Sequence, residues 1–233
     1  MKKYLEDYIK DNNSIISKTF YGIMKIIKNC EFCHNNEEIE YQNFNIIDID
    51  IFEFCNYLHS EGHSLSNFYL DDCIEYFFDE KTNKTKEVFP CPSPHCKGEK
   101  RRKIIELPNY LVIRINWGNF ENDEGFNCGI KFIKPSYEYL DVDEIIEIKK
   151  DYCDDISYNG DEPINDSKIF SLFSTINYFI NQNNKLIFIS KYRIKEEGKN
   201  NRWYNFRCNA KGIENSTYID HFTTPYLLFY EKI

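Results

Sequence analysis

The stretch Leu107-Pro108-Asn109-Tyr110-Leu111-Val112-Ile113-Arg114-Ile115 decides the fold class. After the Pro-Asn break it is an almost unbroken run of aliphatic and aromatic residues, which reads as a central β-strand. Upstream lies a basic run, Lys100-Arg101-Arg102-Lys103 within Lys97–Lys103, whose plain reading is the solvated face of a hairpin. Downstream, Gly118 to Gly129 reads as a loop, and Ile130 to Ile148 as short extended pieces ending in an acidic turn at Asp141, Asp143 and Glu144. Residues 151–167 are acidic and loop-like. The last third is strand after strand: Ile169–Tyr178, Lys185–Ile194, Arg202–Phe206 and Tyr226–Tyr230.

The first third is mixed. Apolar residues at helical spacing run from Tyr4 to about Ile27, broken by Asp11-Asn12-Asn13-Ser14, which supplies an N-cap. From Phe44 to Ile51 the β-branched residues predict a strand with one well-buried face. Positions 70, 73, 74, 77 and 78 then share one face of an amphipathic helix of about three turns. The expected class is α+β, with a β-rich second half and no internal repeat.

Composition narrows the function. The chain has 233 residues, 42% apolar and 17% aromatic, so it can bury a core and is not a disordered segment. Its formal charge of -9 disfavours a phosphate backbone as the main partner, leaving nucleic-acid contact to a larger assembly. No apolar run approaches the roughly 18 residues of a membrane span. Met1-Lys2-Lys3-Tyr4-Leu5-Glu6-Asp7 lacks a signal-peptide core, so the expected location is the cytoplasm or nucleus. Ala210 is the only alanine, a sign of codon bias, and the many surface Asn and Lys carry little functional message.

Nine cysteines carry most of the chemistry. An odd number without a leader argues against a disulfide framework. Four fall into two close pairs, Cys30-Glu31-Phe32-Cys33 and Cys91-Pro92-Ser93-Pro94-His95-Cys96. Two pairs nearly sixty residues apart suggest two hairpin tips that meet, each giving two thiolates to a closed tetrahedral structural Zn²⁺. Cys30, Cys33, Cys91 and Cys96 are the ligand set, with His95 competing for one of the last two places. The plain alternative is free core cysteines. His59 and His63 near Cys55 read as loop histidines, and His221 as structural. Cys128, Cys153 and Cys208 have no neighbouring base, although Arg207 beside Cys208 could lower its pKa.

Several strings then fall into one order. They are Phe20-Tyr21-Gly22, the first Cys pair, Leu70-Asp71-Asp72-Cys73-Ile74 with Phe77-Phe78, the second Cys pair, and Leu107 to Ile113. Lys131-Phe132, Ile169-Phe170-Ser171-Leu172 to Asn177-Tyr178-Phe179, Trp203-Tyr204-Asn205-Phe206 and Pro225-Tyr226-Leu227-Leu228-Phe229-Tyr230 follow. The chain resembles the ubiquitin-specific protease family of deubiquitinases over nearly its whole length. The resemblance implies a papain-like hand of fingers, palm and thumb, with zinc in the fingers and ubiquitin between fingers and palm. Residues 1–29 would be a helical lead-in, 30–103 zinc-ribbon fingers and 104–233 a β-rich palm, with most of the thumb missing.

The same resemblance exposes what is lacking. The family's nucleophilic Cys lies in a Gly-Asn-Thr-Cys-like stretch, and none of the cysteines here has that context. Its catalytic His position falls on Ile187 or Phe188, and no His occurs between His95 and His221. The Asp or Asn that orients that His should follow the Trp203 strand, where Arg207-Cys208 stands instead. An Arg there would repel an imidazolium. The loop Asn181 to Lys185 has no glycine, and Trp117 stands where the family usually has Arg. The expectation is a pseudo-deubiquitinase with no catalytic residues, a binding or scaffold subunit of a multi-subunit complex. A ubiquitin-binding reader is the first alternative, and an active thiol protease completed by a missing segment the second.

Overall fold

The computed structural model describes residues 15–29, 38–62, 67–78, 89–90, 97–117, 139–154, 167–180, 186–194, 202–207, 213–216 and 223–233. Strand β7 (Tyr110–Asn116) is central, as its sequence predicts: it lies between β14 (Thr224–Lys232), antiparallel, and β3 (Ile46–Asp50), parallel. Leu111, Ile113 and Ile115 are fully buried, while Tyr110, Val112 and Arg114 are half-buried on the other face. That alternation is the period of a strand with one face on a core.

The same sheet continues through β10 (Lys168–Ile180), β11 (Leu186–Ile194), β12 (Arg202–Arg207) and β13 (Ile213–Ser216). Its order is β13-β12-β11-β10-β14-β7-β3, with β9 (Ile145–Ile148) also paired to β10. A second sheet has four antiparallel strands in the order β2-β1-β6-β5: β1 (Gly22–Asn29), β2 (Glu38–Phe44), β5 (Phe89–Pro90) and β6 (Lys97–Glu106). A parallel pair joins β4 (Asn67–Tyr69) to β8 (Tyr139–Asp141).

Three short α-helices and a 3-10 turn at Lys150–Tyr152 complete the described fold. Helix α1 (Ile15–Phe20) sets the Phe20 ring on Tyr110, centroids 5.7 Å apart. The helical lead-in expected to about Ile27 stops there, because Gly22 to Asn29 is β1. Ile23, Met24 and Ile26 fit a helical stripe, but an interior strand buried on both faces yields the same spacing, and all three are buried. Gly22 allows close approach: a Cβ there would meet the Phe44 ring and lie 2.6 Å from the Glu106 carbonyl oxygen.

Helix α2 (Ile51–Ser60) follows β3 directly, and Asp50 caps it by accepting from the Glu53 N–H at 3.0 Å. His59, expected on a loop, lies in its last turn. Helix α3 (Leu70–Phe78) agrees with the predicted amphipathic segment and buries Leu70, Cys73 and Ile74.

These helices, with β3, pack into the main core beside Leu111, Ile113, Leu172 and Leu228. Residues 46–62 and 67–78 therefore contribute to the core of the large sheet, although sequence alone groups them with the fingers. The four-stranded sheet enters that core through Met24 and Ile104; Ile23, Tyr41 and Ile105 form a small second cluster.

Like charges face each other across β1 and β6 where Lys25 pairs with Lys103. Such pairs repel unless neutralised. The segment after β9 supplies the neutralisation. Asp154 forms an ion pair with Lys25 at 2.8 Å, with both side chains largely buried, and the Asp151 carbonyl accepts from Lys103 at 2.6 Å. The Asp154 N–H donates to the Ile104 carbonyl at 2.8 Å, so this strap joins the two sheets. The basic run is thus less solvated than expected: the Arg102 guanidinium sits 5.0 Å from the centre of the Phe77 ring.

Candidate functional site

Cys30, Cys33, Cys91, His95 and Cys96 lie outside the described residues, but the strands that flank them are described. Cys30 follows the last residue of β1, Cys91 follows the last of β5, and Cys96 precedes the first of β6. Asn29 is paired with Glu99, Phe89 with Gly98 and Pro90 with Lys97. The β1–β2 and β5–β6 connections therefore leave from the same end of one sheet, on neighbouring hairpins. That placement fits a donor set of two thiolate pairs. Among the described residues, no group of three or more His, Cys, Asp or Glu could hold a metal ion.

The region where the resemblance places a catalytic base is described in part. Ile187 on β11 is paired with Phe179 on β10, and Arg207 on β12 is paired with Ile189. Neither Ile187 nor Phe188 has an atom that can take a proton. Strands β10, β11 and β12 contain no His, Asp, Glu or Cys along their whole length. A general base must reach its nucleophile within hydrogen-bond distance and be oriented by a third group. On these strands no imidazole or carboxylate is present to serve as the base.

Cys55, Cys73 and Cys153 are buried and in no disulfide, and Cys73 and Cys153 are poor nucleophiles. Burial pushes the Cys153 thiol up to about 11, outweighing the nearby Lys103 and Lys168 charges, and burial raises Cys73 further. A thiol so placed stays protonated at neutral pH. His63, Cys128, Cys208, His221 and the 181–185 loop lie outside the described residues. Trp117 is described, and its indole N–H donates to the Pro225 carbonyl at 2.7 Å.

An acidic edge borders the main core where α3 meets β8 and β9. Burial, and then the charge of Asp143, raises the Asp71 carboxyl pKa. Burial, and then Asp141 and Asp72, raises that of Asp143. The Tyr230 hydroxyl, raised by its burial, remains protonated and donates to the Asp143 carbonyl at 2.8 Å. A carboxyl with a raised folded-state pKa favours folding while protonated and opposes it as pH rises through that pKa. Asp143→Asn is therefore expected to raise the melting temperature at neutral pH and to change it little below about pH 3, under the ordinary Asp value. Thermal unfolding across that range checks this, and a lower melting temperature at neutral pH would contradict it.

Sequence reasoning missed one cluster. On one face of the large sheet, Thr175, Lys191 and Asn205 lie directly opposite one another on β10, β11 and β12. Lys191 is 1% exposed, and Arg193, two residues on, donates to the Ser171 hydroxyl at 2.5 Å. Isolated lysines in strands carry no motif, so only the strand register could reveal the row.

Comparison with known proteins fits this architecture. Among solved structures, a SAGA Ubp8/Sgf11/Sus1/Sgf73 DUB module bound to ubiquitin aldehyde matches all of this chain with a TM-score of 0.60 at 18% identity. A yeast SAGA DUB module matches 98% of it with a TM-score of 0.64, also at 18% identity. A third, a SAGA DUB module bound to monoubiquitin, matches all of it with a TM-score of 0.57 at 17% identity. The match covers 46%, 45% and 46% of those chains respectively, so this chain spans about half their length. At these identities the likeness concerns the fold. No curated protein matches the sequence. The family profile described as ubiquitin carboxyl-terminal hydrolase matches residues 1–230, and with an α+β fold of the same kind the chain belongs to that family.

Proposed function

We propose that this chain is a catalytically inactive member of the family, a binding or scaffold subunit of a larger assembly. One observation carries the reading: the three adjacent strands β10, β11 and β12 hold no His, Asp or Glu, and the resemblance puts the family's base position on Ile187 or Phe188 and its orienting group at Arg207-Cys208. A segment outside this chain could bring a cysteine, but it would still face a strand with no imidazole or carboxylate. The structural neighbours come from modules that contain Sgf11, Sus1 and Sgf73, which supports protein partners and is compatible with a nuclear setting. Cys30, Cys33, Cys91 and Cys96 would hold a structural zinc that pins the end of the four-stranded sheet, with His95 as substitute for Cys91 or Cys96.

The test is hydrolysis of a fluorogenic ubiquitin C-terminal amide, with and without thiol alkylation. The expected result is no alkylation-sensitive release, both for this chain and for Ile187→His or Phe188→His, since neither change restores a nucleophilic Cys or a group that orients the new base. Release by the unaltered chain that alkylation abolishes would sink the proposal. A second reading, a ubiquitin reader, is favoured by two neighbours solved with ubiquitin aldehyde and monoubiquitin. Titration of labelled monoubiquitin into the intact protein separates the two: micromolar binding makes it a reader, and no binding leaves the scaffold.

A further inference from the structure

Strand register lines up one row of side chains across most of the large sheet. Ile46, Val112, Phe229, Ser174, Tyr192 and Tyr204 stand opposite one another in turn on β3, β7, β14, β10, β11 and β12. All six are half-buried. The adjoining row on the other face, from Ile47 through Ile113, Leu228 and Thr175 to Lys191, is at most 1% exposed. One face of the sheet therefore lies on the core, and the other is covered only in part.

The partly covered face is not composed for water. Its next row holds Asp48, Arg114, Leu227, Ile176, Ser190 and Phe206, and Phe206 is 51% exposed. Arg114 and Asp48 join in a two-point ion pair, which cancels the charge of the two rows. The chain is 29% charged, yet neither row contains a lysine or a glutamate. Aromatic residues and Arg enriched, with Lys and Glu depleted, is the composition of a protein–protein interface. A phosphate backbone would find no lysine here, and the one arginine is already paired.

A helix already rests on this face. Phe20 of α1 sits on the Tyr110 ring, and the contacts continue through Phe173 to Phe229, with centroids 5.7, 5.7 and 6.3 Å apart. Ile16, one turn earlier on the same side of α1, is 67% exposed, so the apolar surface extends past the sheet along the helix. Strand β11 has nine residues, about 30 Å, which is the length of a helix of about 20 residues. A second copy of the chain would bring the same charge of -9, whereas a partner of opposite sign is drawn in.

We propose that this face docks a basic amphipathic helix of a partner protein, laid along β10 and β11 beside α1. Its apolar stripe covers Phe229, Tyr192, Tyr204 and Phe206, and its lysines or arginines point away into the field of the acidic chain. The assignment deepens the scaffold reading, on which it rests in taking a partner to be required.

The test is fluorescence anisotropy of a labelled designed helix of about 20 residues, titrated with the intact protein. Its leucines recur at i, i+3, i+4 and i+7 with lysine elsewhere, and a second peptide has glutamate in place of each lysine. The expected result is one lysine peptide bound per chain, with the glutamate peptide weaker by about tenfold or more. Tyr204→Ser and Phe206→Ser are each expected to weaken binding about tenfold. Phe52→Ser, which trims an exposed aromatic of α2, is expected to leave it unchanged. No binding, equal binding of the two peptides, or undiminished binding by both Tyr204→Ser and Phe206→Ser would overturn the proposal. So would sedimentation showing a dimer of the chain that Phe206→Ser dissociates, since the occupant is then a second copy. Alkylation-sensitive release in the hydrolysis assay, with helix binding intact, would remove the scaffold reading alone.

Discussion

Chelating metal from the purified protein is expected to unfold the end of the four-stranded sheet, with protection from hydrogen exchange lost across Ile26 to Asn29 and Lys97 to Arg102. The apolar support of that sheet is concentrated at its base. Met24 and Ile104 join the main core, and Ile23, Tyr41 and Ile105 form a cluster beside them. Toward the end that leads to the cysteines, Lys28 is paired with Glu38, which adds charge and little burial. Lys28 and Glu40 meet at 3.1 Å, an exposed pair worth little. A structural Zn²⁺ contributes about 10–16 kcal/mol in finger peptides, as much as a whole domain's net stability of about 5–15 kcal/mol.

Cys33→Ser and Cys91→Ser are expected to reproduce the chelator's effect and to lower zinc content below one ion per chain. His95→Ala distinguishes the ligand sets: retained zinc assigns the fourth place to a thiolate, lost zinc assigns it to imidazole. Full protection in metal-free protein would show that the cysteines are ordinary core residues.

How far the sequence carried depends on where each structural signal is stored. Strand β7 was legible because its identity is local: a β-branched run after Pro108, with alternate residues buried. Strands β10 and β11 were legible for the same reason. Helix α2 was not, because Asp50 ends an alternating strand and caps the helix that follows, so the pattern changes period without a break. Ile51, Phe54 and Cys55 do show helical spacing, and Asp50 with Glu53 is a capping signature that could have marked the start.

Strand β1 was misread because an interior strand covered on both sides has no alternation to display. The cysteine pairs were legible through spacing alone, and strand pairing then set both connections at one end of the sheet. Lys191 was silent, since its meaning comes from Thr175 and Asn205, which register brings beside it from other strands.

Ile113→Ala is expected to be the most damaging single change in the large sheet. Ile113 lies directly between Leu228 on β14 and Ile47 on β3, and all three are at most 1% exposed. Truncation there removes contacts on both sides of the joint that ties β3, and through it α2 and α3, to the large sheet. Buried Ile→Ala changes cost about 2–5 kcal/mol, the upper part of the range applying where neighbours cannot collapse into the gap. Backbone pairing on both sides holds those neighbours in place. For a chain of this length each kcal/mol lowers the melting temperature by about 2–4 °C, so the expected fall is about 5–20 °C.

Val112→Ala is the internal control. Val112 adjoins Ile113 in the chain but points to the opposite, half-buried face, between Phe229 and Ile46. Its loss is expected to cost no more than about 1 kcal/mol. Adding Ile47→Ala to Ile113→Ala should show a coupling of about 0.5–3 kcal/mol, because the two side chains share one contact. Equal losses at 112 and 113 would mean that both faces of β7 are covered equally, and the strand would then lie inside the molecule rather than along one side of its core.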